Sequence, residues 1–330
     1  MNIATLDILF LLVKIGLVFF VVLTGAAYLV FAERKVLAWI QDRKGPNRVG
    51  PLGLLQPLAD LIKMLTKEDV RPRDADTWLF SLAPAMAAIP AILIVAAIPF
   101  GAPLTVLGRP VQLQVADLNV GLLFFLALSS IAVYGVALGG WASNSKYALL
   151  GSIRGLAQLI SYELSMGLSL VPVVLLARSF TLSDIVNAQA GGKWFILYQP
   201  LAFVIFLVSI AAECKRIPFD LPEAEGELVA GFHTEYSGMR FGLFFVGEYI
   251  NIIVLGGLAA TFFLGGWHGP WLPPVAWFGI KVVAFAFFFI WMRGTLPRLR
   301  YDQLMHFGWK VLTPLALLNI LVTGWWLALR

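Results

Sequence analysis

Cysteine occurs once in the 330 residues, at Cys214, and histidine three times, at His233, His268 and His306. A single thiol forms no disulfide framework and no Cys-based zinc or iron–sulfur site within the chain. The histidines lie far apart, without ligand spacing. A G-x-G-x-x-G dinucleotide fingerprint, a P-loop and a haem ligand pair are all missing. The chain is therefore expected to bind no redox cofactor or metal itself, and no nucleic-acid partner is expected. Charge is also scarce, at 13% of residues. A soluble domain uses about 25% to cover its surface, so most of this surface must face lipid or other apolar partners. No basic n-region precedes the first apolar run, which reads as a retained helix rather than a signal peptide.

What is abundant is apolar sequence: 60% of residues, with a mean hydropathy of +0.85. A spanning helix needs about 20 apolar residues. Eight stretches qualify, near 7–31, 78–99, 117–138, 155–178, 194–213, 241–264, 275–293 and 308–328. The expected fold is all-α, a polytopic membrane protein of eight transmembrane helices forming a single membrane domain, 1–330. Lysine and arginine give the orientation. With the N-terminus outside, 18 of them fall on inside connections, four fall outside (Arg109, Arg178, Lys193 and Arg330), and Lys14 and Lys281 lie within spans. Both termini are expected outside.

Residues 52–66 are apolar but too short and too charged to span. Gln56, Asp60, Lys63 and Lys67 recur at helical spacing, and Leu54, Leu55, Leu58, Leu61, Ile62 and Leu65 cover the other side. Pro57 suits the first turn of a helix. The pattern predicts an interfacial amphipathic helix.

Ionisable groups within or beside the membrane are costly and mark pathways or paired sites. Glu163 falls within the fourth span, Glu213 closes the fifth, Glu248 lies early in the sixth and Lys281 within the seventh. The connection 213–240 carries Glu213, Asp220, Glu223, Glu225, Glu227 and Glu235, mixed with Ile217, Phe219, Leu221, Leu228, Val229 and Phe232. Crowded carboxylates raise one another's proton affinity, and such a cluster can share a proton near neutral pH. A solvated acidic loop is the plainer reading, but it leaves the apolar residues unexplained. The basic set on the same side includes Arg34, Arg43, Arg216, Arg293, Arg298 and Arg300. Positive-inside bias accounts for many of these. The interleaved acids, Glu33 beside Arg34 and Asp302 near Arg300, suggest pairing against a partner protein.

Four strings carry a resemblance: "ERKVLAWIQDRKGPNRVGPLGLLQPLADLIKMLTKED" (33–69), "GGWASNSKYALLGSIRGLAQLISYELSMGL" (139–168), "AECKRIPFDLPEAEGELVAGFHTEY" (212–236) and "RGTLPRLRYDQLMHFGWK" (293–310). In type and order they resemble the H-subunit family of bacterial NADH:quinone oxidoreductase (complex I), departing from it at Lys215 and Ile217. The resemblance implies a membrane subunit at the joint with a hydrophilic arm. The partner subunits there would carry FMN and the iron–sulfur clusters, small membrane-arm subunits would lie alongside, and quinone would be the substrate, entering from lipid. Glu33, Arg34, Arg43 and Asp60 match positions near the quinone chamber. Arg216 and Asp220 match its motif, and Lys281, Arg293 and Arg298 match basic positions beside it. Glu163, Glu213, Glu223, Glu225, Glu227 and Glu248 match an acidic path leading towards the proton pumps. The first, sixth and seventh spans and the amphipathic helix would frame the chamber. Related energy-converting hydrogenases share the "GPNRVG" and "ADLIK" region and form the alternative. A free-standing secondary transporter is the third reading, with midplane charges in its favour and the missing repeat against it.

Overall fold

In the computed structural model the backbone is described over residues 3–106 and 109–329, and the side chains over 8–105, 111–224 and 226–329. Helix α1 runs Ile3–Ile40 and leads through a 3-10 turn, Pro51–Gly53, into α2, Gln56–Thr66. Next come α3, Thr77–Val95, a two-stranded hairpin (β1, Gly101–Val106; β2, Arg109–Leu113), α4, Gly121–Ala142, and α5, Lys146–Ala177. Three short helices follow: α6, Leu182–Ala188, α7, Phe195–Tyr198, and α8, Pro200–Glu213. Beyond a long connection that contains α9, Glu225–Leu228, lie α10, Gly238–Phe263, and α11, Pro274–Thr295. The chain ends on α12, Tyr301–Phe307, a π turn, Gly308–Leu312, and α13, Thr313–Ala328.

Seven of these segments are continuous, apolar and long enough to cross a membrane: α1, α3, α4, α5, α10, α11, and the run from α12 to α13. The chain is an all-α, multi-pass membrane protein. The expected span at 194–213 is not one helix. It is a broken pair, Ala190–Tyr198 and Pro200–Glu213, bent by 74°. Pro200 lacks an N–H and disfavours helical geometry at Gln199, whose φ is −133°. The side chain at the break finds partners on α13. Gln199 Nε2 donates to Thr323 Oγ1 at 2.9 Å, and Asn319 Nδ2 donates to Gln199 Oε1 at 2.9 Å. The hairpin is a second departure. Its antiparallel strands pair Leu104 with Val111 in a connection beyond the end of α3, rich in β-branched residues and proline.

The amphipathic helix is present as α2, with Pro57 in its first turn. Leu58, Leu61, Ile62 and Leu65 are each about half exposed, which suits a face lying on lipid. Among the spans, α10 lies deepest, with Ile250, Val254, Leu255, Leu258 and Phe262 buried. It reaches α3 through small residues. A Cβ on Gly247 would meet Ala88 Cα at 3.0 Å, and one on Gly135 of α4 would meet Ala87 N at 2.6 Å. Such close backbone approach drives helix association in lipid, where burial of apolar surface gives no advantage.

Candidate functional site

The ends of α1, α8, α10 and α11 that carry the basic connections converge, and the charged residues meet there. We call this the basic end. Glu33, near the end of α1, is 4% exposed and Arg216, just after α8, is 5% exposed. Arg216 Nη1 donates to Glu33 Oε1 at 3.1 Å. Its Nε lies 3.2 Å from Glu248 Oε1 on α10, and its guanidinium stacks on the Tyr249 ring at 4.6 Å. Arg293, in the last turn of α11, also donates to Glu33 Oε1. One carboxylate thus binds two guanidiniums from different segments. A buried ion pair needs this density of partners, since each ion has given up its hydration.

The connection after α8 folds back against α5. Gln158 of α5 donates through Nε2 to Ala212 O at 2.8 Å and Phe219 O at 2.7 Å, fixing both sides of the turn. Gly231, at φ +60°, closes the loop onto Pro222, whose carbonyl oxygen would lie 1.8 Å from any Cβ placed there. Within this fold Arg298 Nη2 donates to Asp220 Oδ2 at 2.8 Å and to Asp220 O at 2.9 Å. Burial pushes the Asp220 carboxyl above its usual range, against the pull of Arg298. Burial, and next the Asp220 charge, push Glu223 up to about 7, while Arg216, Lys215 and Arg293 oppose the rise. Burial, helped by Lys215, lowers His233 to about 4, so its ring is neutral at pH 7.

Deeper in, Glu213 ends α8 with Oε2 buried and without a hydrogen-bond partner among the described residues. A cavity of about 20 Å³, lined by Glu213, Lys215, Glu248, Asn251 and Phe244, lies between the carboxylates of α8 and α10. This is room for one water molecule. Glu163, midway along α5, accepts hydrogen bonds from Ser129 Oγ at 3.1 Å and from Ser130 Oγ on α4. It is close enough to Glu213 for the two charges to interact. The acidic residues are spread inward through the fold: Asp220 and Glu223 in the folded connection after α8, Glu248 and Glu213 on α10 and α8, and Glu163 midway along α5.

Not every residue that stands out in the sequence joins this cluster. Glu227 is exposed and paired with Arg154 at 2.6 Å. The Glu225 side chain lies outside the described residues, although its backbone begins α9. Arg43 is exposed and donates to Gln41 Oε1 at 2.7 Å. Arg34 and Asp60 pair at 2.7 Å, tying α1 to α2, and Gln56 Nε2 holds the second Asp60 oxygen at 2.9 Å. Lys281, which the resemblance groups with Arg293 and Arg298 among basic positions beside the chamber, lies well along α11 from Arg293. Twelve helical residues separate them, about 18 Å of rise. Lys281 Nζ donates to the carbonyls of Leu264, Gly266 and His268, each at 2.7 Å, and lies over the Trp194 ring. It caps the opposite end of α10, where a helix favours a cation. Sequence reasoning passes over Tyr249, Gln158, Ser129 and Ser130. The available signal is polar residues inside apolar runs, as in "LSS" at 128–130.

The NADH dehydrogenase family model matches residues 13–324. The chain belongs to this family. It is 86% identical over 325 residues to an NADH-quinone oxidoreductase H subunit of Geobacter metallireducens, with 98% of each chain covered. It is 83% identical over 325 residues to an H subunit of the same enzyme from Geobacter sulfurreducens, again with 98% of each covered. The corresponding H subunit of Syntrophotalea carbinolica is 64% identical over 330 residues, with both chains covered completely. Family membership and the apolar helices together make the chain a multi-pass membrane protein of the H-subunit type.

One consequence of the geometry is a pH dependence. An unfolded Glu223 would ionise near 4.3, whereas the folded protein holds its proton until about 7. Between those values the folded state binds more protons, so this group's contribution falls as pH rises through the window and is level above it. Glu223→Gln should therefore match the wild type in thermal stability near pH 4.5 and exceed it at pH 8. Thermal dissociation of the purified complex at the two pH values checks this.

Proposed function

We propose that the chain is the H subunit of a proton-translocating NADH:quinone oxidoreductase, that its basic end forms part of the quinone chamber, and that its acidic sequence couples quinone reduction to proton translocation. The observation that carries this reading is the cluster of buried charges at the basic end: Asp220 with Arg298, Arg216 with Glu33 and Glu248, and the water-sized cavity shared by Glu248 and Glu213, with Glu163 deeper in the bundle. Whole-length similarity to subunits named for quinone supports it over a hydrogenase-type partner. Partner subunits would dock on the basic end and supply electrons from flavin and iron–sulfur groups. Quinone then takes up two electrons and two protons to become the quinol. The negative charge that builds before protonation would be felt by Arg216 and Arg293, loosening their hold on Glu33 and Glu248. The carboxylates left with less positive charge nearby would take up protons, passing the event inward to Glu213 and Glu163.

The Arg34–Asp60 pair ties the amphipathic helix to α1 at the edge of this region. Asp60→Asn should slow NADH:quinone activity while NADH oxidation by an artificial acceptor stays intact, because that reaction needs only the hydrophilic arm. The exposed pair is worth about 1 kcal/mol or less, so assembly should be preserved. Equal loss of both activities would reject the role in quinone access.

The same reading puts the basic end in the cytoplasm and both termini in the periplasm. Gly226 is exposed, and a Cβ there meets nothing within 4 Å. A cysteine placed there in a Cys214→Ser background should react with an impermeant thiol reagent only from the cytoplasmic side. Labelling from the periplasm would invert the topology.

A further inference from the structure

Most buried charges near the basic end are matched by direct contact. Arg216 answers Glu33 and Glu248, Arg293 answers Glu33, and Arg298 answers Asp220. One carboxylate and one ammonium close to each other are left over. Glu213 is 4% exposed and makes no direct ion pair among the described residues. Lys215, two residues on, makes none either, and its ammonium lies over the Phe232 ring at 5.1 Å. The backbone of Lys215 has φ +50°, in the left-handed region that residues with a Cβ seldom use. The chain turns sharply out of α8 there, and the Lys215 N–H still donates to Ala212 O at 3.2 Å.

Both residues line the cavity of about 20 Å³, together with Glu248 and Asn251 of α10. From α3 and α4 come Ala87, Ala132 and Val133, which bring no charge. A buried water needs two to four polar partners. Glu213 Oε2 and Glu248 Oε1 are both buried without a hydrogen bond among the described residues, and the Lys215 ammonium and the Asn251 amide complete a set of four. The neighbouring charges single out Lys215 as the partner of Glu213. From α5, Glu163 adds a second negative charge, and Lys215 is the cation near enough to act on Glu213. Among cations Glu223 answers first to Arg216, and Tyr249 lies beneath the same guanidinium. His233 is neutral at pH 7 and offers Lys215 no counter-charge.

We propose that Lys215 is a positioning residue for the relay: through one water in this cavity its ammonium is the counter-charge of Glu213, and it turns to Glu248 when Glu213 is protonated. The inference rests on the relay reading of these carboxylates. Two carboxylates beside one water-sized space do not both ionise without added positive charge, and Arg216 is already shared between Glu33 and Glu248. A proton arriving on Glu213 makes that carboxyl neutral and frees the ammonium, so one cation serves two relay sites in turn.

The test uses the intact purified complex. Lys215→Met keeps the reach of the side chain and removes its charge, and Lys215→Arg keeps the charge. Both should assemble, because no direct ion pair is broken and a buried carboxyl without a counter-charge keeps its proton instead. A carboxyl that keeps its proton to higher pH becomes free to accept one only at higher pH. The pH profile of NADH:quinone turnover should therefore move about one unit to the alkaline side in Lys215→Met, as for loss of a neighbouring opposite charge. It should hold its wild-type position in Lys215→Arg. A lysine that only packs on Phe232 would lower turnover equally at every pH. With Glu213→Gln already present, Lys215→Met should move the profile no further, and a full shift there would overturn the proposal. Thermal dissociation at pH 8 separates this inference from the relay reading. Lys215→Met should lower the dissociation temperature and added Glu213→Gln should restore it, whatever turnover does. Restoration with an unmoved pH profile would keep the charge pair and sink the relay; independent, additive losses would overturn the pair itself. If Lys215→Met fails to assemble, the double variant decides: recovery supports the pair, and continued failure overturns it.

Discussion

Arg216→Met should remove the subunit from the assembled complex. The side chain is 5% exposed and stands between Glu33 and Glu248, with Tyr249 beneath it. Methionine fills much of the space but leaves Glu248 without its guanidinium and Glu33 with Arg293 alone. Removing one partner of a buried ion pair costs about 3–5 kcal/mol, a large share of a typical net stability of about 5–15 kcal/mol. Arg216→Lys keeps the charge but not the planar fork that reaches two carboxylates, so it should assemble with reduced quinone activity. Pairing Arg216→Met with Glu248→Gln should recover part of the assembled complex, because the stranded charge is then gone. Native gels followed by immunodetection read assembly, and NADH:quinone turnover reads function. An Arg216→Met complex present at wild-type abundance would mean that Glu33 and Glu248 are held by other means.

The contrast between helices and site shows what a sequence of this kind discloses. Spans such as α3 and α4 are legible because lipid demands about 20 apolar residues in a row. α2 is legible because its polar stripe and its leucines separate at helical spacing. The break at Gln199–Pro200 is hidden, since proline inside an apolar run is also compatible with a merely kinked helix. What decides it is the amide of Gln199 meeting Asn319 and Thr323, a contact across 120 residues of chain. The charged cluster divides in the same way. Glu33, Arg216, Asp220, Glu248, Arg293 and Arg298 stand out as charges near a boundary, and the fold brings them together. Lys281 stands out instead as a cation within a span, and twelve residues of helix from Arg293 it lies at the far end of α10. Glu227 shares the acidic connection with its neighbours and points out to Arg154. Tyr249 and Gln158 carry no charge, so their roles under Arg216 and behind the turn emerge only from packing.

Glu213→Gln and Glu163→Gln should each yield an assembled complex with NADH:quinone turnover and proton pumping reduced about tenfold or more, in the range that loss of a positioned proton-transfer group produces. The structure separates this outcome from mere destabilisation. Glu213 Oε2 is buried without a hydrogen-bond partner among the described residues, so glutamine breaks no ion pair and keeps the shape. Glu163 accepts from Ser129 and Ser130, and the glutamine carbonyl can accept from the same hydroxyls. Both variants remove the exchangeable proton and leave the packing, the reverse of Arg216→Met, which leaves the protons and breaks the packing. Asp220→Asn belongs to the second kind, because Asp220 answers Arg298, and it should lower assembly as well as turnover. Glu227→Gln serves as the control: its partner Arg154 is partly exposed, and its loss should change turnover less than twofold, as for surface pairs generally. Proton pumping measured in vesicles against turnover distinguishes two versions of the relay. If the carboxylates carry the pumped protons, or transmit the signal that drives pumping, the ratio of protons to electrons falls in Glu163→Gln. If they serve only to reprotonate the quinone, turnover falls and the ratio holds. Assembled Gln variants with wild-type turnover and pumping would remove Glu213 and Glu163 from the coupling path.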